Sequence, residues 1–290
     1  MIAADVLTRS TSRPLASTPT VRIGLERTLA PDHLALLAAE AWSLFAKRNL
    51  AVSVSLLPLP QTGFAALTAG DCDLALLESM QLLDAPADDL ETLGCVVRAG
   101  GGVMMREHRL RALHEGDTLR IASPVAGPSV ASVCRRLLQG WAARQGLAVA
   151  GQTIQVAAVS LSGEDCLAAG YDGFWLPRCG AEDVATQVSA VAMRLISVED
   201  GGMAELPGLE LVARCRRSAE ECDRYEAVIA AIDEATSRLQ QEPGGALALW
   251  LQQAPTGSAD AERAVRATLP RLCSPVDRRP DRWQALRALT

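Results

Sequence analysis

The sequence predicts an α/β fold of two similar lobes, each a mostly parallel sheet flanked by helices. Three observations lead there. Strand and helix signals alternate from about residue 20 onward. Residues 21–80 and 119–178 repeat one order of strand, long helix, strand, loop, short helix and Asp-led apolar strand. The composition is 49% apolar but only 3% aromatic, so Leu, Val and Ala have to fill the core. An all-β sandwich would draw more heavily on β-branched and aromatic residues. At 290 residues the chain has room for two modest domains.

The first half opens with the apolar strand TVRIGL. A helix follows, with Pro31 in its first turn, where a missing N–H costs nothing, and Leu34, Leu37, Ala38, Ala41 and Phe45 at helical spacing. AVSVSLLP alternates Val52, Val54 and Leu56 on one strand face. GFAALTAG reads as a short helix stopped by Gly70, and DLALL as the next strand. Strand–helix–strand–helix–strand implies right-handed crossovers and a parallel sheet. LGCVVR and GVMMRE read as two strands around the turn Ala99–Gly102.

LRIASP opens the second set. Its helix begins near Ser129, carries Val130, Val133, Cys134, Leu137, Leu138 and Trp141 as a stripe, and stops at Gly146. TIQVAAVS, DCLAAG and YDGFWLP read as strand, short helix and strand, followed by the helix VATQVSAVAM and the strand MRLISV. Ser218 and Glu221 form a capping box ahead of a long helix with Tyr225, Ile229, Ile232 and Leu239 on one face. Pro243 starts another helix, and the tail reads as helical with breaks at Pro255, Pro270, Pro275 and Pro280. The expected organisation is a disordered leader over 1–19, a first lobe over 20–115, a second over 116–205 and a helical return over 206–290 that packs mainly on the first lobe.

Charge and cysteines narrow the function classes. The net charge is −6 and basic residues come only as short pairs, such as Arg135–Arg136 and Arg216–Arg217. Binding nucleic acid needs a basic stripe, so no nucleic acid partner is expected. The eight cysteines, at 72, 95, 134, 166, 179, 215, 222 and 273, contain no C-x-x-C. Several sit in apolar runs, as small buried hydrophobes do, and that pattern suits a reducing compartment. The first twenty residues hold no apolar h-region of the kind a secretory signal has, and no segment approaches a membrane span. The expected location is cytoplasmic, or periplasmic if the N-terminus is not the native one.

These segments resemble a known family. VRIGL with its helix, then VSVSLLPLPQTGFAALTAGDCDLALLES, is similar to the first lobe of the SsuA/NMT1/THI5-like solute-binding proteins, a type II periplasmic-binding-protein-like group. LRIASPVAGPS, TIQVAAVS and AAGYDGFWLP resemble the second lobe, and the capped helix with Gln241-Glu242-Pro243 resembles the C-terminal return. The resemblance covers roughly residues 20–255. It implies two lobes joined by crossover segments, a ligand cleft between them, and a small organic or oxyanion ligand. Members of that family feed ABC importers of sulfonates, nitrate, taurine or thiamine precursors. A cytoplasmic relative would instead be a ligand sensor with a regulatory protein partner, or an enzyme on the same scaffold, a lyase or a cofactor-precursor synthase.

In parallel sheets, ligands bind beyond the carboxyl ends of the strands, near helix N-termini. In the first lobe those positions hold Glu26, Thr28, His33, Gln61, Thr62, Glu78 and Ser79. In the second they hold Ser123, Ser129, Ser162, Trp175 and Arg178. Gly127-Pro128-Ser129 before a helix is an oxyanion site or a plain Ser cap, and Gln61-Thr62 offers the same pair of readings. Glu26 and Glu78, if they face the ligand, favour a cationic or amine-bearing one; otherwise they are solvated loop carboxylates. Trp175 is either a stacking platform or core, and Arg178 either a ligand partner or a surface partner of Glu182. His33 stands in the first turn of a helix, where it would donate to a ligand.

No H-x-H, H-E-x-x-H, Cys/His cluster, Walker loop, G-x-S-x-G or G-x-G-x-x-G is present, so no metal, cofactor or catalytic residue is assigned. The enzyme alternative would rest on His33, Cys72 or Glu26 acting with a shifted pKa.

Overall fold

The computed structural model describes residues 20–26, 29–58, 61–84, 89–112, 117–124, 127–147, 154–159, 163–176, 192–203, 206–253, 258–281, 284, 287 and 288. The expected leader over 1–19 and the expected helix VATQVSAVAM lie outside them, apart from the last two residues of that segment. The chain divides into two compact units. Unit one comprises Met1–Glu78, Pro86–Val97 and Leu209–Arg279; unit two comprises Ser79–Ala85, Arg98–Gly208 and Pro280–Thr290.

Unit one is built on a six-stranded sheet of order β11-β4-β10-β3-β1-β2. Its strands are β1 (Thr20–Leu25), β2 (Ala51–Leu56), β3 (Leu74–Glu78), β4 (Leu90–Arg98), β10 (Pro207–Arg214) and β11 (Leu272–Asp277). β1 pairs in parallel with β2, from Thr20↔Ala51 to Leu25↔Leu56, and with β3 through Ile23↔Leu74. β10 runs antiparallel to β3, and β11 antiparallel to β4. Unit two has a five-stranded sheet of order β7-β6-β8-β5-β9. Here β6 (Leu119–Ser123) pairs in parallel with β7 (Ile154–Ala158) and β8 (Gly173–Leu176). β5 (Gly102–Arg106) is antiparallel both to β8 and to β9 (Met193–Ser197).

Both sheets are therefore mixed, where the sequence pointed to mostly parallel ones. The parallel part is a three-strand unit repeated in the same order, β2-β1-β3 and β7-β6-β8. Two readings change for a physical reason. LGCVVR and GVMMRE do not pair with each other: β4 joins the sheet of unit one and β5 that of unit two, so the three residues between them are a passage and not a hairpin. The division between the two units at this point of the chain falls at Val97/Arg98. The tail is not wholly helical either. LCSPVD forms β11, and Pro275 is compatible with it because β11 is an edge strand, where a missing N–H breaks no ladder.

The sequence echo has a structural cause. In unit one, the Arg22 N–H donates to Asp73 Oδ2 (2.8 Å) and the Asp73 N–H donates back to the Arg22 carbonyl (2.9 Å). In unit two, the Arg120 N–H donates to Asp172 Oδ2 (2.8 Å) and the Asp172 N–H to the Arg120 carbonyl (2.8 Å). Each aspartate follows a left-handed glycine, Gly70 at φ 78° and Gly170 at φ 80°, that ends the preceding short helix. The helix stop and the Asp clamp together start the third strand beside the first. The arginine heads diverge: Arg22 pairs with Asp73, whereas Arg120 stacks over Tyr171 (4.8 Å) and Arg109 Nε takes its place 2.8 Å from Asp172 Oδ1.

The helices are α1 (Leu34–Ala41), α2 (Gly63–Ala69), α3 (Ser79–Asp84), α4 (Glu107–Ala112), α5 (Pro128–Arg144), α6 (Gly163–Ala168), α7 (Ala219–Gln241), α8 (Pro243–Gln253) and α9 (Ser258–Thr268). α1 is shorter than its periodicity suggested and ends before Phe45. α7 starts at the expected capping box: Ser218 Oγ accepts from the Glu221 N–H (3.2 Å) and Glu221 Oε2 from the Ser218 N–H (2.7 Å). Such a cap contributes about 1 kcal/mol. Its stripe of Tyr225, Val228, Ile229, Ile232, Ala235 and Leu239 is buried against α1 and β11, completing the core of unit one. In unit two, the stripe of α5 packs with Trp175, Val103 and Ile196 on one face, while Phe174, Met104 and Cys166 form a smaller core on the other.

Burial alone would push the Asp73 carboxyl up, but hydrogen bonds from Arg22 and its charge outweigh that and hold it below the ordinary carboxylate range. A depressed carboxyl contributes stability above its unfolded pKa and loses it as pH falls through the folded one. Asp73→Asn should therefore cost about 1 kcal/mol near neutral pH, with the exposed Arg22 end contributing little. Chemical denaturation across pH should show the gap between wild type and variant closing below about pH 4.

Candidate functional site

In unit one, β1, β2 and β3 end on one side of the sheet, and the candidate residues stand just beyond them. Glu26 follows β1. Its Oε1 accepts the Gly63 N–H at 2.6 Å, so its carboxylate sits on the first amide of α2. Thr62 caps the same helix, its Oγ1 accepting from the Ala65 N–H at 3.1 Å. Gln61 is turned outward and donates from Nε2 to Asp71 Oδ2 at 2.6 Å. Glu78 ends β3 opposite Leu209 and is buried, which removes the reading of it as a solvated loop carboxylate. Thr28 lies outside the described residues.

His33 stands at the entry to α1. It is buried, and its Nδ1 accepts the Ala30 N–H at 3.0 Å, holding the entry to α1. Its neighbour Asp32, absent from the sequence-derived candidates, is buried beside Arg271 at 2.6 Å, an ion pair that ties the start of α1 to the residue before β11. Cys72 is also buried; burial first, and then the negative charge of Asp73, push its thiol up to about 11.

In unit two, Ser123 ends β6, buried, and Ser129 opens α5. Here the second anticipated oxyanion position is already filled. Both carboxylate oxygens of Asp84 lie 3.2 Å from the Ser129 nitrogen, and Ser129 Oγ donates to Asp84 Oδ1 at 2.6 Å. Gly127 makes room for this: at φ 136°, a Cβ there would stand 1.9 Å from Asp84 Oδ2. Ser79, first residue of α3, donates to the Pro207 carbonyl. Trp175 is 2% exposed and belongs to the core rather than to an open stacking face; its indole N–H has no acceptor among the described residues. Ser162 and Arg178 lie outside the described residues.

Sequence reasoning found both helix N-termini but not their occupants. Asp84 is 45 residues from Ser129, and nothing local to either residue announces the contact. The one available signal was Gly127, the glycine that a close approach requires. Unit two also has a pocket of about 520 Å³ whose lining includes Glu107, Trp141 and Arg194, the guanidinium of Arg194 lying 5.4 Å from the Trp141 ring. It adjoins the far end of β5 and β9, and none of the candidate residues lines it. Among the described residues no cluster of His, Cys, Asp or Glu is arranged to hold a metal ion, and no helix is long and apolar enough to cross a membrane.

Comparison with known proteins places the architecture. No family model matches the sequence, and no curated protein matches it. Solved structures do. The zinc-bound ligand-binding component of an ABC-type import system from Staphylococcus aureus aligns over 94% of this chain and 91% of its own, at 12% identity and TM-score 0.70. A Candida albicans gene product described as having the generic periplasmic binding protein fold aligns over 93% and 90%, at 12% identity and TM-score 0.66. The periplasmic aliphatic sulphonate-binding protein SsuA of Escherichia coli aligns over 87% and 84%, at 17% identity and TM-score 0.61. The chain has the two-lobed periplasmic-binding-protein fold, in agreement with the resemblance read from its sequence.

Asp84→Ala should cost about 1–3 kcal/mol, because it strips the partner from a partly buried amide and a hydroxyl. Ser129→Ala, which leaves the amide contact, should cost less. A double-mutant cycle by urea denaturation should return a coupling of about 1 kcal/mol between the two.

Proposed function

We propose that this chain binds a small ligand as the solute-binding proteins of ABC importers do, and that the ligand is neutral or cationic rather than an oxyanion. The fold supports the first part, since the S. aureus neighbour is the ligand-binding component of an ABC import system and the E. coli neighbour binds aliphatic sulphonates. One observation carries the second part: the helix N-termini that would receive an oxyanion are closed by carboxylates of the chain itself, Asp84 on Ser129 and Glu26 on Gly63. A helix N-terminus favours an anion by about 0.3–1 kcal/mol. A second anion about 4 Å from the resident carboxylate meets a repulsion of roughly 1–4 kcal/mol. Repulsion wins, so a sulfonate or nitrate is disfavoured at both places while an amine is not.

The enzyme alternative finds no support in the residues it would use. Cys72 is a buried thiol with a raised pKa, His33 a buried acceptor, and Glu26 is engaged by a backbone amide. We further place the protein in the cytoplasm, as a ligand sensor with a regulatory partner rather than an importer's receptor. The sequence supports this placement through its cysteines, which contain no C-x-x-C and fall largely in apolar runs; a disulfide formed in such a compartment is transient. Fractionation of the native host should find the chain with cytoplasmic markers; recovery with periplasmic markers would return the importer reading to first place.

A thermal-shift panel of sulfonates, nitrate, pyrimidines and amines tests the ligand class. A ligand present at 100-fold over its Kd should stabilise the chain by roughly 2.7 kcal/mol. Amines or neutral pyrimidines should raise the melt of the wild type, and sulfonates should do so only in Asp84→Asn. A wild-type response confined to sulfonates or nitrate contradicts the ligand class, and silence across the panel contradicts the binding role.

A further inference from the structure

We propose that Cys95 and Cys273 are a disulfide-forming pair, a site of oxidative modification that fastens the edge strand β11 to β4. Their sulfurs lie 4.0 Å apart. Both residues are 1% exposed, so the pair is enclosed in the core of unit one. The approach comes from an irregular pairing. β11 meets β4 in register only at Leu272↔Val97 and Asp277↔Cys95, and the shift between those points turns Cys273 toward Cys95. Closing from 4.0 Å to the roughly 2.05 Å of a disulfide requires rotation about the side-chain bonds. Weak contacts are given up on the way: Cys95 Sγ to the Val97 carbonyl at 3.2 Å and Cys273 Sγ to the Arg271 carbonyl at 3.9 Å.

An oxidant reaches the pair through local opening of β11, which lies at the sheet edge. Edge and near-terminal elements open at lower cost than central ones. The oxidant is a low-molecular-weight disulfide. The Cys273 thiol gives up its proton and attacks one sulfur of that disulfide, whose S–S bond breaks and releases one small thiol. The Cys95 thiol then gives up its proton and attacks Cys273 Sγ, expelling the second small thiol. Two electrons and two protons pass from the protein to the oxidant, and one protein disulfide forms. The bond closes a chain segment of 178 residues and holds Leu272 and Val276 of β11 in the core.

The test treats the full-length folded protein with oxidised glutathione and maps its peptides by non-reducing mass spectrometry. The expected result is a linked peptide containing Cys95 and Cys273, lighter by two hydrogens than its separate parts. The melting temperature should rise by on the order of 5 °C and fall back with dithiothreitol. Cys95→Ala and Cys273→Ala should each abolish both the link and the rise. Should either variant fail to fold, the wild-type peptide map and its reversal by dithiothreitol still decide. The proposal is overturned if the exposed Cys215 is fully oxidised while Cys95 and Cys273 stay unlinked, or if the linked protein melts no higher than the reduced one.

Discussion

A carboxylate seated on a helix N-terminus is the interaction on which the functional account depends. It occurs in both units, Glu26 on α2 and Asp84 on α5. An N-terminus of this kind has amides with no partner inside the helix, and whatever satisfies them fixes the charge that the surrounding loop presents. An empty terminus recruits an anion from solution. A terminus closed by the chain's own aspartate or glutamate presents a neutralised helix end, and a carboxylate in place of a vacancy. The structural neighbours include a sulphonate-binding protein. The fold is shared with it, and in this chain both helix starts carry a carboxylate of the chain itself.

Behind those contacts stands a repeated scaffold. The backbone clamp of Asp73 on Arg22 recurs as Asp172 on Arg120, each after a left-handed glycine. It sets the third strand of each three-strand unit beside the first, so the strands end together and the loops beyond them gather at one end of each sheet. The remaining strands, β10, β11, β4, β5 and β9, extend these cores in antiparallel fashion, which is why both sheets are mixed.

What the sequence made legible follows the range of the physics. Local periodicity located β1, β2, β3, β6 and α5, and the Ser218–Glu221 box located α7, because each is decided within a few residues. The internal echo was legible because the clamp that causes it recurs at nearly equal spacing. Partners far apart in the chain left no such trace. Asp84 with Ser129 and Asp32 with Arg271 join segments that only the tertiary fold brings together. β11 was hidden for another reason: Pro275 argues against a strand unless the strand lies at an edge, and edge position is a property of the whole sheet. The burial of His33 was not legible either, because a polar residue in a first turn is usually exposed.

The most direct test of the account is a crystal structure with a bound ligand identified by the panel. The account predicts that the Ser129 amide is still held by Asp84, and that the ligand meets the protein through neutral or positively charged groups. A sulfonate, nitrate or carboxylate oxygen of the ligand on the Ser129 amide, with Asp84 displaced, would contradict it.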